Sequence, residues 1–236
     1  MTREVVLSGR AITRESPPYV IAEAGVHHYN DIDVARELIL AAQVAGADAV
    51  KFQTYTADRL AARWAPTYWD DGTGRTQHDI FAERSLLTEA DYAELFLFAE
   101  KVGITFLSTP FDDDAAEMLD RLGMEAFKIA SADLIDRPLL ERVACFGKPV
   151  LLSTGAATFE EIDRAAQLFI NADVPLVLLH CSLAYPTAIE DANLRRIVSL
   201  AERYPDLVIG YSDHTQPQDS ELPCPMAVGL GAPGPM

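Results

Sequence analysis

The apolar positions of the chain fall into two alternating rhythms. Short runs that are apolar almost throughout occur at "YVIAE" (19–23), "DAVKFQ" (48–53), "ITFLS" (104–108), "AFKIAS" (126–131), "PVLLS" (149–153), "PLVLLH" (175–180) and "LVIGY" (207–211). Strands with one wet face would alternate; continuous runs are the mark of parallel strands covered on both faces. Between them the period lengthens to that of a helix. "DVARELILAAQVAG" sets Ala35, Leu38, Ile39 and Ala42 on one face and stops at Gly46. "EADYAELFLFAEKVG", "DDDAAEMLDRLG", "RPLLERVACFG", "TFEEIDRAAQLFI" and "DANLRRIVSLAERYP" behave likewise. Thr158 and Glu161 make a capping box, and Gly103, Gly123 and Gly147 close three of the helices.

About seven strand-helix units admit an α/β barrel of the TIM (β/α)8 type or an open doubly wound sheet. No GxGxxG or P-loop follows the first strand, so the barrel is preferred. Residues 1–18 hold two strand-like pieces around "SGR" and predict an N-terminal β-hairpin. Residues 19–236 are then the TIM-barrel catalytic domain. One connection, 54–87, is far longer than the others and holds both tryptophans, Trp64 and Trp69. Long loops in compact domains are functional or disordered. An ordered lid and aromatics packed on a barrel rim fit this insertion equally, and its His78 reads as a solvated loop residue.

Charge narrows the partners. With 19 Lys+Arg against 36 Asp+Glu, the net charge of -17 argues against nucleic acid and anionic membrane, so any anionic ligand needs a local cluster of cations. Cys145, Cys181 and Cys224 are odd in number and dispersed, which suits a reducing, cytoplasmic location better than a disulfide framework. No run approaches the roughly 18 apolar residues of a membrane span, and "MTREVVLSGR" is no signal peptide.

In a barrel, chemistry collects at the C-terminal ends of the strands. Those ends offer Glu23; Lys51 and Gln53; Ser108 and Thr109; Lys128, Ser131 and Asp133; Ser153 and Thr154; His180 and Tyr185; and Ser212, Asp213 and His214. Each could be a helix cap or an ordinary ion pair. Their recurrence on every strand is harder to assign to capping. Lysines inside apolar strands are costly unless an anion joins them, and a phosphate suits two ammonium groups ringed by hydroxyls. His214 and Glu23 are candidates for metal coordination or acid/base work.

Seven segments, "IAEAGVHH", "GADAVKFQTY", "FLSTPFD", "FKIASAD", "KPVLLSTG", "LLHCSLAYPT" and "IGYSDHT", stand in the order and near the spacing of the N-acetylneuraminate (sialic acid) synthase family, which includes the pseudaminic and legionaminic acid synthases. The chain resembles that family from Tyr19 to Leu230. The resemblance implies condensation of phosphoenolpyruvate with an N-acylated hexosamine such as N-acetylmannosamine, giving a nonulosonic acid and free phosphate, with a divalent metal, Mn²⁺ or Mg²⁺. It places Lys51, Thr109, Lys128, Ser131, Ser153 and Ser212 on the phosphate, His214 on the metal with Glu23 nearby, and Gln53, Asp133 and Tyr185 toward the sugar. Glu23, Lys51, Lys128 and His214 are the catalytic candidates. It also implies a homodimer for the full-length parent.

The departures are specific. "HHYND" stands where the family often reads "NHNGD", placing His27 and Tyr29 at the mouth; Leu183 follows Ser182 in place of a polar residue; Asp133 is one methylene shorter than the usual glutamate. The family's eighth strand carries a second metal-binding histidine, whereas this sequence ends "GLGAPGPM", with Pro233 and Pro235 where that strand would begin. The expectation is an incomplete barrel without the family's C-terminal antifreeze-like domain. Two other readings stand beside the enzyme: a remnant that binds phosphoenolpyruvate without turnover, and a different phosphoenolpyruvate-using sugar-acid synthase.

Overall fold

The computed structural model describes residues 4–68, 72, 74–216 and 223–230. In chain order, β1 (Val5–Leu7) and β2 (Arg10–Ile12) are followed by β3 (Ile21–Gly25), α1 (Ile32–Val44), β4 (Ala49–Thr54), α2 (Ala57–Leu60), α3 (Gln77–Ala82), α4 (Glu89–Val102), β5 (Thr105–Pro110) and α5 (Asp113–Arg121). The rest comprises β6 (Phe127–Ile129), α6 (Arg137–Cys145), β7 (Val150–Ser153), α7 (Phe159–Asn171), β8 (Leu176–His180), α8 (Arg196–Arg203), β9 (Val208–Tyr211) and α9 (Pro223–Gly229). Two compact units result: one is Ala22–Met124, the other Met1–Ile21 with Glu125–Met236.

In Ala22–Met124 the strands lie in the order β3-β4-β5. β4 and β5 run parallel, with Lys51 opposite Leu107 and Gln53 opposite Thr109. The core joins Ala35, Ile39 and Ala42 of α1 to Val50, Phe52 and Phe106 of the sheet and Leu95 and Ala99 of α4, with Leu38 partly buried beside them. Phe52 and Phe106 stack at 5.3 Å between ring centroids. Each fully buried Val, Leu, Ile or Phe of this core contributes about 1.5–3 kcal/mol. Gly103 ends α4 at φ 78, in the left-handed region that a C-terminal glycine supplies.

Among the described residues of the long insertion, Tyr55 is buried, and its ring meets Phe81 at 5.2 Å and Phe111, next to β5, at 5.7 Å. His78 is not a solvated loop residue: its Nε2 lies 2.9 Å from Asp58 Oδ1, and its side chain is only 15% exposed. That hydrogen bond is the first cause holding the Asp58 carboxyl below its ordinary range. Trp64 is 83% exposed, so it does not pack on a rim; Trp69 lies outside the described residues.

The other unit orders its strands β6-β7-β8-β9, all parallel. The expected hairpin is present: β1 and β2 pair antiparallel with Val5 opposite Ile12, and the turn residues Ser8 and Gly9 both have positive φ. Two such residues make a turn whose twist matches that of a two-residue hairpin. Arg14, just past the hairpin, donates to the carbonyls of Ala201 (3.0 Å) and Tyr204 (3.1 Å), a cation on the C-terminal end of α8. Thr158 and Glu161 form the expected capping box on α7.

Boundaries move in three places. Glu23 lies inside β3 and not at its end. Ser131 leaves β6 and opens a 3-10 turn, Ser131–Ile135. The last full helix is shorter than its pattern, because Asn193 takes φ 49 and breaks the segment before α8. Pro233 and Pro235, expected to interrupt an eighth strand, lie outside the described residues.

Candidate functional site

The sequence-predicted residues divide between the two units. In Ala22–Met124, β3 supplies Glu23, β4 supplies Lys51 and Gln53, and β5 supplies Thr109. Lys51 is 8% exposed and forms an ion pair with Glu23, whose side chain is 50% exposed. Lys51 Nζ also donates to Thr109 Oγ1 at 3.4 Å. An ammonium held this deep is tolerable because a carboxylate and a hydroxyl meet it. Gln53 lies one pleat further on, its side chain aimed with that of Glu23 at the backbone of Gly25. Ser108, by contrast, pairs with Thr54 at 2.7 Å in the interior and is a structural hydroxyl.

In the second unit, Lys128 is 7% exposed and its Nζ donates to Ile129 O at 2.9 Å. Ser131 Oγ accepts the Gly155 N–H at 2.9 Å and lies 2.9 Å from Cys181 Sγ. Gly155 allows that approach: a side-chain carbon there would sit 2.7 Å from Cys181 Sγ and 2.9 Å from Ser131 Oγ. Sequence reasoning missed Gly155, for which the only trace was the "STG" that ends the fifth run. Ser153 Oγ is buried without a hydrogen-bond partner, and so is Asp133 Oδ2. Burial, then the charge of Asp136, pushes the Asp133 carboxyl up to about 7, while Lys128 draws it down. Thr154 and His180 are structural: the hydroxyl donates to Leu179 O at 3.0 Å, and the buried imidazole lies 2.8 Å from Ala192 O.

His214 is set by the loop after β8. Its Nδ1 is 2.8 Å from the Ser182 carbonyl, its own carbonyl accepts the Thr187 N–H at 2.8 Å, and Tyr185 lies over its ring at 4.3 Å, next to a cis Tyr185–Pro186 bond. A proton on Nδ1 leaves the lone pair on Nε2, the tautomer a metal ligand needs. Ser212 N donates to His180 O at 2.8 Å, which places its side chain at the same strand end. Asp213 takes hydrogen bonds from Tyr211 Oη and Thr215 N, both at 2.9 Å. As for the metal, no group of three His, Cys, Asp or Glu side chains able to hold an ion occurs among the described residues. These residues therefore offer one imidazole donor but do not by themselves complete a metal site.

Parallel strands alternating with helices, preceded by an antiparallel hairpin, define an α/β protein of the TIM-barrel type. The particular family follows from comparison with known proteins: the chain belongs to the NeuB family, whose model matches residues 38–233. It is 37% identical over 223 residues to N,N'-diacetyllegionaminic acid synthase of Legionella pneumophila, covering 91% of this chain and 61% of that protein. Over 207 residues it is 37% identical to pseudaminic acid synthase of Helicobacter pylori, covering 84% and 59%. The crystal structure of the N-acetylneuraminic acid (sialic acid) synthetase of Leptospira borgpetersenii serovar Hardjo-bovis in complex with citrate superposes with a TM-score of 0.86 at 33% identity. That match covers 100% of this chain and 77% of the other. The chain thus spans about 60% of the length of the curated relatives it matches. No helix among the described residues is long and apolar enough to cross a membrane.

Proposed function

We infer that the chain is the catalytic part of a synthase that joins phosphoenolpyruvate to an N-acylated hexosamine, forming a nonulosonic acid and phosphate. The observation that carries this reading is the pair of strand lysines, Lys51 and Lys128, each less than a tenth exposed in a protein of net charge -17. A buried ammonium in an acidic protein is a local positive centre at which an anion can be held.

Lys51 with Thr109, and Lys128 with Ser131, Ser153 and Ser212, serve the phosphate. Gln53, Asp133 and Tyr185 face the sugar, and Glu23 borders it near the metal. The methylene carbon of phosphoenolpyruvate bonds to the aldehyde carbon of the open-chain hexosamine, and the aldehyde oxygen takes a proton. Water then adds at the phosphate-bearing carbon, and that tetrahedral centre expels phosphate. Asp133, whose carboxyl titrates at about 7, can hold or release the proton these steps require near neutral pH. His214 offers one nitrogen to the divalent ion, Mn²⁺ or Mg²⁺, that the family likeness implies; such an ion would polarise the aldehyde. A homodimer and a cytoplasmic location belong to the same reading.

Incubation with Mn²⁺ or Mg²⁺, phosphoenolpyruvate and a panel of N-acylated hexosamines tests it. Phosphate is released only when a suitable sugar is present; a preference for phosphorylated aldoses would favour the other class of sugar-acid synthase. The absence of a three-ligand metal group among the described residues favours one second reading, a chain that binds phosphoenolpyruvate without turnover. Calorimetric binding of phosphoenolpyruvate with no phosphate release from any sugar would establish it.

A further inference from the structure

The connection from β3 to α1, residues 26–31, is a braced turn. Gly25, Tyr29 and Asn30 all take positive φ, at 55, 50 and 64. Within it His27 N donates to Ala24 O (3.1 Å), Tyr29 N to Val26 O (3.3 Å) and Asp31 N to His28 O (2.8 Å). His28 turns inward, buried against Phe52, and accepts the Asn30 N–H at 3.0 Å. Asn30 braces the turn from outside, donating to Glu83 O at 2.5 Å and accepting from Leu86 N at 3.0 Å. His27 and Tyr29 are left exposed on this rigid support.

A side-chain carbon at Gly25 would lie 3.5 Å from Glu23 Oε1, 3.7 Å from His27 Nδ1 and 3.9 Å from Gln53 Nε2. A carboxylate, an imidazole nitrogen and an amide nitrogen therefore border one small space that glycine keeps open. A carboxylate only accepts, an amide nitrogen only donates, and an imidazole nitrogen does either according to tautomer. That set matches hydroxyl groups, each of which donates and accepts. Tyr29 meets the His27 ring edge-on at 6.4 Å, and the Arg84 guanidinium lies 4.3 Å over Tyr29, so the His27 ring has a supported neighbour.

We propose that His27 is a specificity-determining contact to the acceptor sugar, its Nδ1 sharing hexosamine hydroxyls with Glu23 and Gln53. Tyr29 acts through it as a positioning residue. This rests on the reading of Glu23 and Gln53 as sugar-facing. His27 is exposed, so replacing it leaves the core untouched.

The test uses the chain labelled with ¹⁵N-histidine, the His27 signals being assigned by their loss in His27→Asn. Added N-acetylmannosamine, or whichever N-acylated hexosamine supports phosphate release, shifts the His27 ring nitrogens; phosphoenolpyruvate alone does not. In kinetics, His27→Asn lowers kcat/KM for the sugar about tenfold, the worth of one hydrogen bond, leaves KM for phosphoenolpyruvate within twofold, and changes the ranking of the acceptor panel. Tyr29→Leu gives a smaller loss in the same direction. His27 signals unmoved by every hexosamine, or a parental ranking in His27→Asn, overturn the assignment. The two readings fail separately: phosphate release with an unmoved His27 removes the subsite and keeps the reaction, whereas a sugar-dependent His27 shift without phosphate release removes the reaction and keeps the subsite.

Discussion

Two polar clusters on parallel strands, one in each compact unit, use the same ingredients to opposite effect. In Ala22–Met124, Lys51 finds its counter-charge in Glu23 and a hydroxyl in Thr109, so the cluster is neutral as it stands. In the other unit Lys128 meets a backbone carbonyl, Ser153 Oγ and Asp133 Oδ2 are buried without partners, and Asp133 is driven toward its neutral form. A buried polar atom left unpaired costs about 1–3 kcal/mol. The second cluster therefore carries a standing cost in its unpaired atoms that the first, closed on its own ion pair, does not.

The sharpest way to break this contrast is to remove each lysine in turn. Charge-assisted hydrogen bonds contribute about 1.5–3 kcal/mol, so Lys51→Met and Lys128→Met each weaken phosphoenolpyruvate binding about 10- to 150-fold by calorimetry. Their effects on Asp133 differ. Lys128 lowers the Asp133 carboxyl, so Lys128→Met moves that titration further up by NMR, whereas Lys51→Met leaves it in place. Equal movement in both variants would end the distinction between the clusters.

Next in size is packing at Gly155. An added methyl lies 2.7 Å from Cys181 Sγ, 2.9 Å from Ser131 Oγ and 3.3 Å from Cys181 O, the last a backbone atom. Overpacking of this kind costs about 1–3 kcal/mol. Gly155→Ala lowers the urea midpoint accordingly and weakens phosphoenolpyruvate binding by disturbing Ser131. The control is Gly147→Ala, which meets no atom within 4 Å and whose cost is confined to its φ of 66.

Much of this was legible in the sequence. The seven apolar runs mark the seven strands β3 to β9 found among the described residues, since buried strands need no alternation, and the capping box at Thr158 marks the start of α7. The sequence also put Lys51 and Lys128 in apolar strands, where both lie, although each sits within its strand and not at its end. It could not separate Ser108 and Thr154, which satisfy the interior, from Ser153, which does not; all three are hydroxyls at or near the C-terminal part of a strand. Partner choice depends on cross-strand register, and that distinction is three-dimensional. His78 was misread for the same reason, its partner Asp58 being 20 positions away.

A substitution at Asp133 tests the standing cost through pH. The Asp133 carboxyl rises from 3.8 to about 7 in the fold, chiefly by burial. Between those values the folded chain binds more protons than the unfolded one, so stability falls as pH rises through that window and levels off above it. Asp133→Asn removes this part of the slope. At pH 8 the variant is more stable than its parent by about 1–2 kcal/mol, after allowance for partial solvent screening. Denaturant melts at pH 5 and pH 8 read the effect; a parental slope in Asp133→Asn would place the titration elsewhere.

The smallest effect belongs to the self-satisfied unit, and it asks whether neutrality there also means rigidity. Asn30 joins the β3–α1 turn to the end of the insertion through its bonds to Glu83 O and Leu86 N, and its φ of 64 suits asparagine better than alanine. Asn30→Ala removes two exposed hydrogen bonds and adds backbone strain, a loss of about 1–2 kcal/mol in local terms. Because the bonds are exposed, most of that loss appears as local opening and not as global unfolding. Hydrogen exchange then accelerates about tenfold at Leu86 while amides of β4 and β5 keep parental protection. Faster exchange spreading into those strands would show the turn to be part of the core, and the Lys51 cluster would owe its neutrality to the insertion as well as to Glu23.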